Sequence, residues 1–303
     1  MRIFETRGSS AASRLLACLV VMSVCAVAQA QQLPPGGTTS WEMQDLEVIV
    51  GFLLFDPKDP AVALPKGLRY VTARQASKDS AEFQEHLKQH PEHSDWAFSF
   101  VEFLRPKTWV LDGKALKLPE NGGISVWFAP VDHSQLAAEV PKDKYETVIA
   151  PSPVGILQLG FWVPDREYVA YMRARGHHAE YGMVTLVKDS KGSFEGELQL
   201  AELNVKASAT PQGEATSQPD SFTQVFFEPG NRVDNVVVIG GANARERDCI
   251  AEWSKQGDHP LSRGVFVGPT FLNIEGPIKG SAYRLRESAG PDAAQKRFSQ
   301  QSP

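Results

Sequence analysis

Gly182-Met183-Val184-Thr185-Leu186-Val187-Lys188-Asp189-Ser190-Lys191-Gly192-Ser193-Phe194-Glu195-Gly196-Glu197-Leu198 is the stretch that decides the fold. Residues 183–187 and 194–198 have strand character, and the polar, glycine-closed segment 188–192 between them signals a hairpin. Working outward, strands are predicted at 97–104, 108–111, 124–129, 156–163, 203–209, 222–227, 233–239, 264–267 and 271–274. An apolar run at 46–55 (Leu-Glu-Val-Ile-Val-Gly-Phe-Leu-Leu-Phe) stops at Asp56-Pro57. Turn residues separate these runs: Arg105-Pro106, Asp112-Gly113, Glu120-Asn121-Gly122-Gly123 and Val163-Pro164. Helices are expected at 77–93, where Phe83 and Leu87 share a face, and at 165–178, with Tyr168, Tyr171 and Met172 on one side. Many short strands and few helices give the expectation of a mainly β, α+β fold: one barrel-like antiparallel domain over 41–286 with a few capping helices.

The amino terminus carries a different signal. Arg2, Arg7 and Arg14 precede 13 uncharged residues, 15–27, and then Ala28-Gln29-Ala30, so residues 1–30 read as a cleavable secretory signal peptide. The apolar run is short of the roughly 20 residues that a spanning helix needs. The expectation is therefore a periplasmic or secreted protein with no stable membrane span. Residues 31–40 read as a disordered leader and 287–303 as a polar tail.

Without residues 1–30, which hold three basic and one acidic side chain, 28 basic and 35 acidic side chains remain, formally −7. An acidic surface argues against nucleic-acid binding, which depends on neutralising phosphates. Cys18 and Cys25 leave with the signal peptide, so Cys249 alone remains and no internal disulfide is expected. There is no G-x-S-x-G elbow, Walker loop or G-x-G-x-x-G, and Gly240-Gly241 is a weak echo of a phosphate loop. No cofactor is implied, and oligomeric state is left open.

Several segments, in order, resemble the acetoacetate decarboxylase family. They are Leu64-Pro65-Lys66-Gly67-Leu68-Arg69, Phe98-Ser99-Phe100-Val101-Glu102-Phe103, Glu120-Asn121-Gly122-Gly123-Ile124-Ser125-Val126, the stretch 182–210, and Gly268-Pro269-Thr270-Phe271-Leu272. The resemblance implies a small-molecule lyase in which Glu102 and Glu120 are functional carboxylates. It also implies a Schiff-base lysine beside a second lysine that lowers its pKa, because only a neutral amine attacks a ketone. Here the pair falls on Ala179 and Glu180, and the segment 173–181 has no lysine. The family's early arginine also has no counterpart among residues 42–47.

The candidate residues follow. Glu102 faces either a cavity or solvent; among aromatic residues it would act as an acid/base near neutrality. Glu120 is a second catalytic candidate, carried by the resemblance. Arg173, Arg175, His177 and His178 are candidate substrate-binding residues, the arginines for a carboxylate and the histidines for proton transfer. His86, His90 and His93 read as a solvated stripe; a zinc site there would require Glu82 or Glu85, and no metal is expected. Trp96, Trp109, Trp127, Phe161 and Trp162 read as core. Two functions remain open: a lysine-independent enzyme acting on an oxo acid or related carbonyl compound, and a non-catalytic carrier for a small apolar carboxylate or carbonyl ligand.

Overall fold

The computed structural model describes residues 39–64, 67–133, 154–217, 221–228, 232–239, 245–275 and 278–286. The segments read as signal peptide and tail, and Gly240-Gly241, lie outside these residues. In chain order the strands begin with β1 (Thr39–Gln44), β2 (Leu46–Phe55), β3 (Arg69–Tyr70), β4 (Ala97–Arg105), β5 (Thr108–Leu111) and β6 (Lys114–Ala115). β7 (Ile124–Asp132), β8 (Val154–Val163), β9 (Glu180–Tyr181), β10 (Met183–Lys188), β11 (Phe194–Gln199) and β12 (Leu203–Pro211) follow. The last are β13 (Thr216–Ser217), β14 (Ser221–Glu228), β15 (Arg232–Ile239), β16 (Arg245–Gly257), β17 (Val265–Glu275) and β18 (Ile278–Arg286). The main helices are Ala81–Gln89 and Arg166–Ala174.

The hairpin forms as its sequence requires, with β10 and β11 paired from Met183↔Gln199 to Lys188↔Phe194. Neighbouring strands then run β10–β11–β12–β16–β17–β2–β4–β7. The turn before β7 closes this ring: Gly122 bridges Thr185, Gly123 N–H donates to Val184 O at 3.0 Å, and Leu186 N–H donates to Asn121 O at 3.0 Å. Gly122 is required there, since a Cβ would come within 2.6 Å of the Pro119 ring. From β7 the sheet continues through β8, β14, β15, β18, β1 and β5. The result is a mostly β, nearly closed, barrel-like sheet. Among the described residues no helix is long and apolar enough to cross a membrane.

Alternation along the central strands divides the interior in two. Ile49, Leu53, Val101, Phe103 and Trp127 point into the ring and meet Leu186, Phe194, Leu198, Val205 and Leu272. Each such side chain, fully buried, contributes roughly 1.5–3 kcal/mol. Gly51 lies in the same wall because the Trp253 indole covers it; a Cβ would sit 2.3 Å from that ring. The other face, with Val48, Val50, Phe52, Phe98, Phe100, Leu104 and Val126, packs against Phe161 and the two main helices. Trp127, Phe161 and Trp162 are buried, and Trp96 and Trp109 pack partly buried against the second cluster.

Four local differences from the sequence reading have physical causes. The helix expected over 165–178 ends at Ala174, because Gly176 adopts φ 78° and His177 N–H donates back to Met172 O at 3.1 Å. The polar helix expected over 77–93 breaks into three pieces: Ser80 caps Ala81–Gln89, and Pro91 starts a separate 3-10 turn. β17 is a single bulged strand, not two, with Gly268 at φ 83° inside the irregularity. Finally, β1 begins at Thr39, within the stretch read as a leader.

Candidate functional site

The early end of helix Arg166–Ala174 determines the site. Asp165 caps its start, accepting from Tyr168 N–H at 2.9 Å, and Tyr168, Val169 and Met172 bury its inner face. Once the chain leaves the helix at Gly176, His177 and His178 turn inward and are not the surface helix end that their sequence suggests. His177 Nδ1 lies 2.9 Å from Glu228 Oε1, and His178 N–H donates to Glu228 Oε2 at 2.9 Å. The His177 and Glu228 side chains are only 9% and 8% exposed. Gln158, buried on β8, donates to His178 O at 2.8 Å, while Thr39 Oγ1 stands 3.4 Å from His177 Nε2. His178 Nε2 lies 3.7 Å from Glu180 Oε1. Burial holds the His178 imidazole below its usual pKa, against the opposing pull of Glu180 and Glu228.

A carboxylate bonded on both oxygens is a fixed acceptor. It fixes the His177 ring with Nδ1 toward Glu228 and Nε2 toward Thr39 Oγ1, so that Nε2 is the ring nitrogen left for proton transfer. Ala179 follows, with 0% exposure, in the apolar cluster beside Met172 and Phe161. Among the described residues no lysine is buried.

Glu102 lies on this same side. It pairs with Val50 and Val126, shares its strand face with Phe98, Phe100 and Leu104, and is half-buried. Across the sheet its row continues through Phe271 to Asp248 and through Phe161. The next row holds Glu246 and Asn273 opposite Val48 and Leu104. Glu246 Oε1 and Asn273 Oδ1 are buried without a hydrogen-bond partner among the described residues. Burial, reinforced by Asp248, pushes Glu246 up to about 7.

The remaining candidates stand elsewhere. Glu120 is exposed in the turn that clasps the ring. Arg173 is exposed and donates to Ala179 O at 2.7 Å. Arg175, also exposed, lies over the Tyr171 ring and 3.3 Å from Asp112. The sequence reading missed Glu228 and Gln158. A charge at the end of an apolar strand, as in Phe226-Phe227-Glu228, was the one available signal for the first.

The chain is similar to acetoacetate decarboxylase from Legionella pneumophila subsp. pneumophila str. Philadelphia 1, with a TM-score of 0.52 and 10% identity over 88% of this chain and 94% of that one. The fold is that of acetoacetate decarboxylase. An acetoacetate decarboxylase-like enzyme from Sphingomonas wittichii RW1 aligns with 86% of this chain and 100% of its own at 11% identity and a TM-score of 0.47. The enduracididine biosynthesis enzyme MppR, complexed with pyruvate, aligns with 85% and 93% at 14% identity and a TM-score of 0.48. No family model matches the chain, and no curated protein does. Within the acetoacetate decarboxylase fold, His177, His178 and Glu228 meet beside the buried Ala179, whereas Glu120, Arg173 and Arg175 stay on the surface.

Proposed function

We propose that the protein is an exported enzyme that acts on a small oxo acid or related carbonyl compound by proton transfer, without a Schiff-base lysine. The observation that carries this reading is the buried His177–Glu228 pair, 2.9 Å apart, with His177 two residues before Ala179, where the family resemblance places the missing lysine. Oxo acids form enols or lose carbon dioxide through an enolate, and each path needs a base or acid at the carbon next to the carbonyl. His177 Nε2 supplies that group, Glu228 fixes its ring, and Glu102 is the second acid/base on the same side of the sheet. The signal peptide reading places the reaction outside the cytoplasm.

Borohydride trapping tests the lysine-independent part. Reduction in the presence of acetoacetate should leave the intact mass unchanged, while the enzyme still turns over the substrate. A stable lysine adduct would overturn the reading. Tight binding of acetoacetate with no turnover would favour the carrier function instead.

A further inference from the structure

Three histidines far from His177 in sequence form a cluster of their own. Helix Ala81–Gln89 carries His86 in its last turn and ends at His90, and the 3-10 turn Pro91–Asp95 brings His93 back over them. The rings are in mutual contact, with centroids 4.8 Å apart for His86 and His90, 5.2 Å for His86 and His93, and 5.3 Å for His90 and His93. His93 is also seated on Trp96, with centroids 4.1 Å apart. Glu92 Oε1 lies 3.3 Å from His90 Nδ1. One ligand atom from each of His90, Glu92 and His93 lies within 4.8 Å of the other two.

A solvated stripe does not account for this arrangement. His86 and His93 are half-buried and only His90 is exposed, so the three rings form a packed cluster and not a row of separately solvated side chains. The helix C-terminus beneath them concentrates negative partial charge from free carbonyls, which favours a cation at this point. Two imidazoles and a carboxylate suit a borderline divalent ion, with ligand distances of about 2.0–2.2 Å. His90 and Glu92 are exposed at the surface, and their donor atoms lie within 4.8 Å of one another and of His93.

We infer that His90, Glu92 and His93 bind a divalent transition-metal ion such as Zn²⁺ or Cu²⁺ at the solvent-facing end of helix Ala81–Gln89. His86 acts behind them. Its Nε2 lies 2.9 Å from His93 Nδ1, which fixes that ring and leaves Nε2 of His93 for the metal. The ion would tie the helix end to the 3-10 turn and so steady Phe83, which packs on Phe52 and Phe98. The site is independent of the His177–Glu228 pair and stands or falls separately.

Calorimetric titration of chelator-treated, tag-free protein with Zn²⁺ and with Cu²⁺ tests it. One equivalent should bind, with a rise in melting temperature. His90→Ala and His93→Gln should each weaken binding at least tenfold, and His86→Gln about tenfold through loss of the supporting hydrogen bond. Because His90 is exposed, its replacement leaves folding intact and gives a clean reading. Failure to bind either ion at millimolar concentration, or binding that His90→Ala and His93→Gln leave unchanged, would overturn the inference.

Discussion

The two faces of β2, β4 and β7 are built from the same three strands and do opposite things. Facing the closed ring, Ile49, Leu53, Val101, Phe103 and Trp127 pack in an apolar cluster, and the Trp127 indole N–H donates to Ser99 Oγ at 3.0 Å; Ser125, opposite Phe103, is the exception, with a buried Oγ that has no hydrogen-bond partner among the described residues. On the other face the register that carries Val50 and Val126 also carries Glu102, and the adjoining row brings in Glu246 and Asn273, each with an oxygen that has no partner among the described residues. Unsatisfied buried polar groups are costly, so one face holds the fold and the other retains reactive groups at the expense of stability.

Breaking the ring face should have the largest effect. Phe103→Ala removes a fully buried ring that stacks on Trp253, and should cost about 3–5 kcal/mol in urea unfolding. A cost under 1 kcal/mol would mean that this core is not the stabilising one.

The second expected effect has the opposite sign. Glu246 is held protonated by burial, so the stability it permits is complete below 4.5 and is lost as pH rises from there to about 7. Glu246→Gln should therefore raise stability by about 2 kcal/mol at pH 8 and by nothing at pH 4, a difference that melting curves at the two pH values would show.

The ring has its own titrating group, of smaller effect and reversed direction. His259 Nδ1 accepts from Leu261 N–H at 3.2 Å at the end of the ring core near Trp127 and Trp162, and burial lowers its pKa. Its contribution is complete above 6.5 and is lost as pH falls below that value. His259→Asn, which keeps an acceptor that does not protonate, should flatten the acid limb of stability in melting curves taken below pH 6.5. The smallest effect is expected at Glu120, which belongs to neither face. Glu120→Gln should change stability by less than about 0.5 kcal/mol and leave turnover intact.

The sequence made the ring legible and the reactive side only in part. Hairpin 183–199 and the strands around it announce themselves because β-branched residues alternate and glycine marks the turns. β16 is hidden from that reading: in Arg245–Gly257 the apolar residues that face the ring core are Cys249, Ala251 and Trp253, between the exposed Ile250, Glu252 and Ser254, and the strand's one buried residue, Glu246, is a carboxylate. Glu102 could be singled out as a charge in an aromatic strand, but its face was open until the register with Val50 and Val126 was known. His177-His178 reads as the end of a helix over 165–178, although Gly176 behind Arg173 and Arg175 is itself a helix-stop signal. Glu228 lies some fifty residues away, and only the parallel pairing of β14 with β8 brings it to His177.

Exchange of the α-protons of acetoacetate in D₂O, followed by NMR, tests the proton-transfer claim most directly. The wild-type protein should accelerate exchange, and His177→Gln and Glu228→Gln should each reduce the acceleration by about 10²-fold or more while melting like the wild type. Equal rates in wild type and both variants would contradict it.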